Sequence, residues 1–416
     1  MTDARLAALT AAAKTAYIFA LPLVEIANTR AIGLARGTSL NTLGHMRNLA
    51  DHRARAVTTP NNDTLYSTAQ IDLSAGPVTF TLPPTGERYF SLALMDAYSN
   101  NFAILGTRTT GPDGGVFTLV GPNDAAEGRN ILRSPTRHVW ALARILVDGP
   151  HDLEAARAVQ QGLSLQGPAV EAGPAPARRN APWPELFATI ARLMAEDPPQ
   201  VTDRIALNAM APLGLDAFDP AVFSAAEAAA IEAGVAEGRV AARRGGLDGA
   251  GFTGGWSYPS ARLGDFGQDY DYRAGVALGG LAALPPVEAM YMRAKGDLPR
   301  ALFDGGANWR LHFAADRHLP VNSFWSLSLY EATEDGQFFF TDNPLNRYAI
   351  GDRTQGLRTN DDGSLDIWIG HESPGAGRES NWLPAPAGPF ALFMRAYLPK
   401  PELLDGRYRL PDVERV

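Results

Sequence analysis

Residues 59 to 66 read TPNNDTLY, and most of these side chains could take part in chemistry. Asn61 and Asn62 both donate and accept hydrogen bonds, Asp63 accepts them, and Thr64 and Tyr66 carry hydroxyls. A second polar run, DAYSNN, begins at Asp96; on a strand, Asp96, Tyr98 and Asn100 would point to one side. A third stretch, NTLGHMR, contributes His45, an acid–base group near neutral pH, and the cation Arg47. Converging on one pocket, these residues would suit proton transfer and the stabilisation of an anion. His45 or Asp63 would serve as general base and Tyr66 as proton donor, with Tyr98 as a second donor. Arg47, Asn62, Asp96, Tyr98 and Asn100 would hold the substrate. The competing reading is a set of Asx-type turns, with Asn61 closing on its own backbone and Pro60 biasing Thr59 toward extended geometry.

Other motifs argue mainly by exclusion. GAGFTG, Gly249 to Gly254, has dinucleotide-loop spacing but lacks the preceding strand and following helix, so no organic cofactor is expected. No nucleophile-elbow serine, phosphate-binding lysine loop or zinc-protease helix motif occurs. None of the seven histidines pair at a spacing of two or four residues, so no metal is expected, although a site assembled from distant segments stays open. Asp265, Asp269 and Asp271, interleaved with Phe266, Tyr270 and Tyr272, could form an acid–base or sugar-stacking loop, or a solvated loop with inward aromatics.

The elements that must position these residues follow from pattern. Apolar residues spaced three to four apart predict a helix over 3–36, capped by Thr2 or Asp3 and ended or kinked at Pro22. Alternation over 57–121, as in VTFTLP and FSLAL, predicts antiparallel strands, and 135–148 reads as a strand or a short helix. Residues 166–184 read as a Pro-rich connector, followed by helices, and 305–416 alternate again. The organisation expected is 1–165, an N-terminal helix with a first β domain; 166–300, connector and helices; and 301–416, a second β domain. The 41 glycines and 31 prolines also point to a mainly β chain with helical insertions.

A net charge of −8 disfavours nucleic acid and anionic membrane partners, and the absence of cysteine excludes disulfides and thiolate chemistry. The N-terminal residues lack the basic-then-apolar order of an export signal, which predicts a cytoplasmic protein.

The chain resembles two paired, mainly bacterial families of unknown function, numbered 1254 and 1214. The first resemblance rests on NTLGHMR, TPNNDTLYSTAQIDLSAGP, RYFSLALMDAYSNNFAILGTRTTG and ILVDG. The second rests on GGANWRLHFAADRHLPVNSFWSLSLYEA, DNPLNRYAIGDRT, NDDGSLDIWIGHESPG and NWLPAPAGPFALFMRAYLPK. It implies two β-sandwich or jelly-roll-like domains flanking a helical middle segment, and a homo-oligomer, but no established activity. The second family contributes His312, Trp325, Tyr330, Arg347, Tyr348, His371, Asn381 and Trp382. HLPV at His318 departs from its usual LPPV.

Two functions follow as expectations. One is a soluble enzyme without organic cofactor, of hydrolase or lyase type, acting on a small, partly apolar metabolite in a polar pocket of the N-terminal β domain. The other is a non-catalytic sandwich that binds a ligand or assembles into an oligomer.

Overall fold

The computed structural model describes residues 3–244 and 251–416. Thr2 and the first two residues of GAGFTG lie outside the described residues; the remainder of that motif runs into a short hairpin strand.

Helix α1 (Asp3–Ala35) does not end at Pro22. An internal proline costs about 3 kcal/mol, but Leu9 to Ala27 are buried on nearly every side, and that packing outweighs the missing hydrogen bond. By length and composition α1 could cross a membrane, and 67% of its most apolar window is buried inside the protein.

The N-terminal strands are β1 (Gly44–Met46), β2 (Thr64–Asp72), β3 (Val78–Leu82), β4 (Phe90–Met95), β5 (Asn101–Gly106), β6 (Gly115–Val120), β7 (Ile131–Arg133), β8 (His138–Leu146) and β9 (Ser164–Gln166). Helix α2 (Leu153–Gly162) lies between the last two. The strands form a five-stranded sheet, β1-β2-β8-β4-β5, and a four-stranded sheet, β7-β6-β3-β9. Leu65, Ile71, Leu92, Ala143 and Ile145 from the first sheet and Phe80, Leu82 and Leu119 from the second share one core, so the sheets pack as a sandwich. Residues 135–148 thus resolve as strand β8.

No regular structure interrupts the connector between β9 and α3 (Trp183–Glu196). Helices α3, α4 (Arg204–Met210), α5 (Ala225–Arg244) and α6 (Tyr270–Gly279) gather around α1. Gly234 and Gly238 let α5 approach α1 closely: a Cβ at Gly234 would stand 2.2 Å from the carbonyl oxygen of Thr10.

The C-terminal strands are β10 (Phe252–Thr253), β11 (Trp256–Ser257), β12 (Ala289–Ala294), β13 (Trp309–Phe313), β14 (Trp325–Ala332), β15 (Phe338–Phe339), β16 (Ala349–Gly351), β17 (Leu365–Gly370), β18 (Trp382–Pro384), β19 (Phe390–Tyr397) and β20 (Val413–Arg415), with a short α7 (Pro401–Leu404). They build a seven-stranded sheet, β10-β11-β12-β19-β14-β15 with β16 on β14, and a four-stranded sheet, β18-β17-β13-β20. Met292, Leu327 and Met394 meet Leu311, Phe313 and Ile367 in a second sandwich core, which also buries Trp325.

The larger sheet of each sandwich turns its outer face to the other sandwich. Tyr89, Ala93, Ile104 and Leu146 pack there against Leu284, Ala289, Phe324 and Tyr397. The Phe324 and Tyr397 rings stack at 4.1 Å, and Tyr89 meets both edge-on.

Candidate functional site

Strand pairing sets two polar rows into this seam. Tyr66 on β2 lies opposite Arg144 on β8, and Arg144 lies opposite Ser91 on β4. Their neighbours along each strand fill the N-terminal core, so alternation sends this row outward. On the other side, Tyr291 on β12 lies opposite Arg395 on β19, which lies opposite Ser326 on β14. The two rows are close enough for Arg144 to feel Tyr291, Tyr66, Tyr397 and Tyr89 electrostatically.

Polar contacts tie the rows together. Asp63 is buried; its carboxylate accepts from the Ser326 hydroxyl at 2.6 Å and from Arg353 at 3.0 Å, both from the C-terminal sandwich. Asn61 donates to the Tyr397 hydroxyl at 2.7 Å. Glu288 accepts from Tyr89 at 2.8 Å and from Arg108 at 2.6 Å. Arg395 donates to Ser328, Tyr330 and the Thr59 carbonyl. Burial holds the Tyr89 and Tyr397 hydroxyls well above the usual phenol range and raises Tyr291, so all three stay protonated near neutral pH.

Arg144 is the exception to this pairing. It is 5% exposed, and its Nη2 donates to the Ala282 carbonyl at 3.0 Å. Its Nε and Nη1 are buried and donate to nothing, and no carboxylate among the described residues lies within ion-pairing distance. The Tyr66 ring lies 5.5 Å from the guanidinium. The hydroxyls of Tyr66 and Tyr291 make no protein hydrogen bond among the described residues, and both side chains are half-buried. The result is a buried cation set beside Tyr66 and the Ala282 carbonyl, with two guanidinium nitrogens that find no acceptor.

The structure brings only part of the expected set here. Asp63 and Tyr66 reach the seam. Asn62 is half-buried beside them, with no side-chain hydrogen bond among the described residues. His45 pairs with Ser67, next to Tyr66, and therefore belongs to the opposite face of β2; it is exposed and hydrogen-bonds Ser67 at 2.8 Å. Partial burial and Arg47 lower its pKa. Arg47 is exposed, with its carbonyl accepting from Arg157. His45 and His52 do not share a helix, because β1 and a turn occupy that stretch.

Asp96, Tyr98 and Asn100 form the turn after β4 rather than one strand face. Asp96 lies five residues beyond Ser91, about 16 Å along the strand. Its carboxylate accepts from the backbone N–H groups of Tyr98 and Asn100, each at 2.9 Å, and Tyr98 donates to the Asp197 carbonyl. Burial pushes Asp96 up to about 6, against the hydrogen bonds from Asn100. This turn packs on the helical core, where Arg273 lies against Phe19, Tyr98 and Tyr270.

The remaining candidates hold structure. Asn61 accepts from the Asp63 N–H at 2.6 Å, closing the expected Asx turn. Thr59 is not extended: its φ is 49°, fixed by its N–H donating to Phe338 and its carbonyl accepting from Arg395. Arg347 clamps the carbonyls of Glu379, Ser380 and Trp382, and Asn381 bonds the Arg358 and Asp366 carbonyls. His312 bonds Asp366, His371 the Ala385 carbonyl, Tyr348 His52, and Trp382 the Gly370 carbonyl. His318 is exposed and bonds the Gly363 carbonyl. Asp269 caps α6, and Phe266 and Tyr272 pack inward. Among the described residues no group of three or more His, Asp or Glu side chains could hold a metal ion.

Arg144 and Tyr291 lie in no motif singled out from the sequence, and Arg395 and Tyr397 lie in a stretch that carries the second family resemblance without being marked individually. The one local signal for Arg144 and Arg395 is a lone arginine within an apolar run, in ALARIL and FALFMRAY.

The family model described as "Protein of unknown function (DUF1254)" matches residues 40–167, and that described as "Protein of unknown function (DUF1214)" matches residues 288–401. Tyr66 and Arg144 fall in the first segment; Tyr291 and Arg395 fall in the second. The crystal structure of the VPA0106 protein from Vibrio parahaemolyticus is similar to this chain at 22% identity with a TM-score of 0.75, covering 98% of this chain and 100% of that one. The architecture is therefore shared. An uncharacterised protein from Burkholderia cenocepacia matches at 13% identity with a TM-score of 0.48, covering 98% of this chain and 94% of that one. No curated protein matches the chain.

Proposed function

We propose that this chain, which belongs to the DUF1254 and DUF1214 families, binds a small organic anion in the seam between its two sandwiches. The observation that carries this reading is Arg144, a buried cation with two nitrogens lacking any acceptor. An anion would supply those acceptors, and charge-assisted bonds to guanidinium are the strong kind. Tyr66 and Tyr291 would add hydroxyl donors from the two domains. Such a site also gives a reason for the two families to occur in one chain, since neither segment alone holds all of its walls. Isothermal titration with small carboxylates and phosphate tests the reading. Binding by the wild type and its loss in Arg144→Met is the expected result; equal heats from both proteins would overturn it.

A second reading adds catalysis of hydrolase or lyase type without an organic cofactor. Its support is the Tyr66 hydroxyl, unengaged beside a guanidinium and able to pass a proton. Against a strong base in the seam, Asp63 and Glu288 are both engaged by arginines. A screen of ester, lactone, epoxide and hydratase substrates tests it, and turnover unchanged in Tyr66→Phe would remove Tyr66 from the mechanism. A cytoplasmic location is part of the proposal; 67% of the most apolar window of α1 is buried inside the protein, which is compatible with an internal packing role. Homo-oligomerisation, the remaining expectation, is decided by a light-scattering mass.

A further inference from the structure

One buried charge cluster takes no part in the seam. His138 opens β8 opposite Asp72 at the end of β2, and Asp197 caps the C-terminus of α3. All three side chains are buried. Asp197 accepts from the His138 backbone N–H at 2.8 Å and meets the ring Nδ1 at 2.6 Å, while Nε2 lies 3.4 Å from Asp72. Each ring nitrogen therefore faces a carboxylate. Only the imidazolium can donate to both; a neutral ring keeps one proton and turns a lone pair toward the other carboxylate. Asp72 has a second partner in Arg137, at 2.8 and 2.6 Å, but Asp197 has no other ion-pair partner among the described residues. Arg30 on α1 is close enough to act on the ring electrostatically, and Glu196 and Arg192 on α3, near Arg30, pair with each other at 2.8 Å. Burial and Arg30 oppose the charged ring, and the two carboxylates outweigh them.

The cluster joins the helices to the N-terminal sandwich, whose apolar contact with them is narrow. Among the described residues, only Ala97 and Tyr98 of that sandwich enter the helical core. Besides His138, the end of α3 is held by the Tyr98 hydroxyl donating to the Asp197 carbonyl at 2.8 Å and by Gln200 donating to the Pro135 carbonyl at 3.1 Å. We propose that His138 is a proton-operated latch: protonated, it holds the end of α3 on the N-terminal sandwich, and loss of that proton frees this end while both sandwiches stay folded. Leu186, Phe187 and Ile190 keep the rest of α3 in the helical core, so the release is confined to its last turn and the loop beyond.

The experiment is amide hydrogen exchange of the full chain from pH 6 to 9, read by mass spectrometry and corrected for the intrinsic pH dependence of exchange. Protection over residues 192–203 is expected to lie below that of β4 and β17 throughout. It should fall by up to about tenfold per pH unit between about 6.5 and the folded value of His138, then level off. In His138→Gln the fall should vanish. Arg30→Met removes a cation that opposes the charged ring and should move the fall to higher pH, a readout that stands even if the His138 variant does not fold. Protection that is flat with pH in wild type, or an identical fall in His138→Gln, overturns the latch. Equal protection over 192–203 and β4, falling together, overturns the local release. A fall that stays in place in Arg30→Met overturns the ring's charge as its cause.

Discussion

Replacing Arg144 by methionine separates a ligand-binding cation from a structural one. The substitution keeps most of the side-chain length and removes two buried nitrogens that donate to nothing. A buried donor left unmade costs about 1–3 kcal/mol, so their removal is favourable. Against it stand the bond to Ala282, about 1.5–3 kcal/mol for a charged donor, and the cation–π contact with Tyr66, about 0.5–2 kcal/mol. These contributions nearly cancel, and the variant should unfold in urea within about 1 kcal/mol of wild type, or later, in buffer free of organic anions. Tryptophan fluorescence follows the transition. Adding a carboxylate at a hundred times its Kd should then stabilise wild type by about 2.7 kcal/mol and leave the variant unmoved. A loss of 3–5 kcal/mol without ligand, the size expected for breaking a buried ion pair, would show that Arg144 is a structural clamp and refute the reasoning.

Two further outcomes follow from the buried charges. Asp63→Ala removes the nearer of the two carboxylates beside Arg353, at 3.0 Å against 3.9 Å for Asp352, and should cost about 3–5 kcal/mol; a double-mutant cycle with Arg353→Met should show coupling, and additive losses would remove the pair from the account. At the far end of β8, His138 bonds Asp197 at 2.6 Å and lies 3.4 Å from Asp72, with Arg137 and Arg30 also close. Burial alone would lower its pKa, but the two carboxylates outweigh it and raise the net value above 6.5. A raised folded-state value gives stability that is full below about 6.5 and lost as pH rises through the folded value. Unfolding measured from pH 6 to 9 should therefore slope downward in wild type and less in His138→Gln, whereas equal slopes would contradict this.

Local patterns carried the fold further than they carried the site. The alternation in VTFTLP and FSLAL marked β3 and β4 because one face of each packs in a core, which is what a period of two reports. Asn61 was legible as a turn residue, since that bond reaches only to Asp63. Its second bond, to Tyr397, crosses 336 positions, and no local rule could reveal it. His45 and Tyr66 looked like partners by residue type, but a strand register that only pairing decides puts them on opposite faces of β2. Arg144 was hidden for the same reason, since an apolar run does not say which of its faces will meet another domain. Pro22 does not end α1, because tertiary burial overrules a local breaker.

The central claim is that Arg144 receives an anion, and a crystal structure with a bromine-tagged medium-chain carboxylate tests it most directly. The account predicts carboxylate oxygens within hydrogen-bonding distance of the Arg144 guanidinium, and an anomalous bromine peak in the seam between the two sandwiches. A ligand found only on the outer surface, at concentrations that saturate binding in solution, would contradict it.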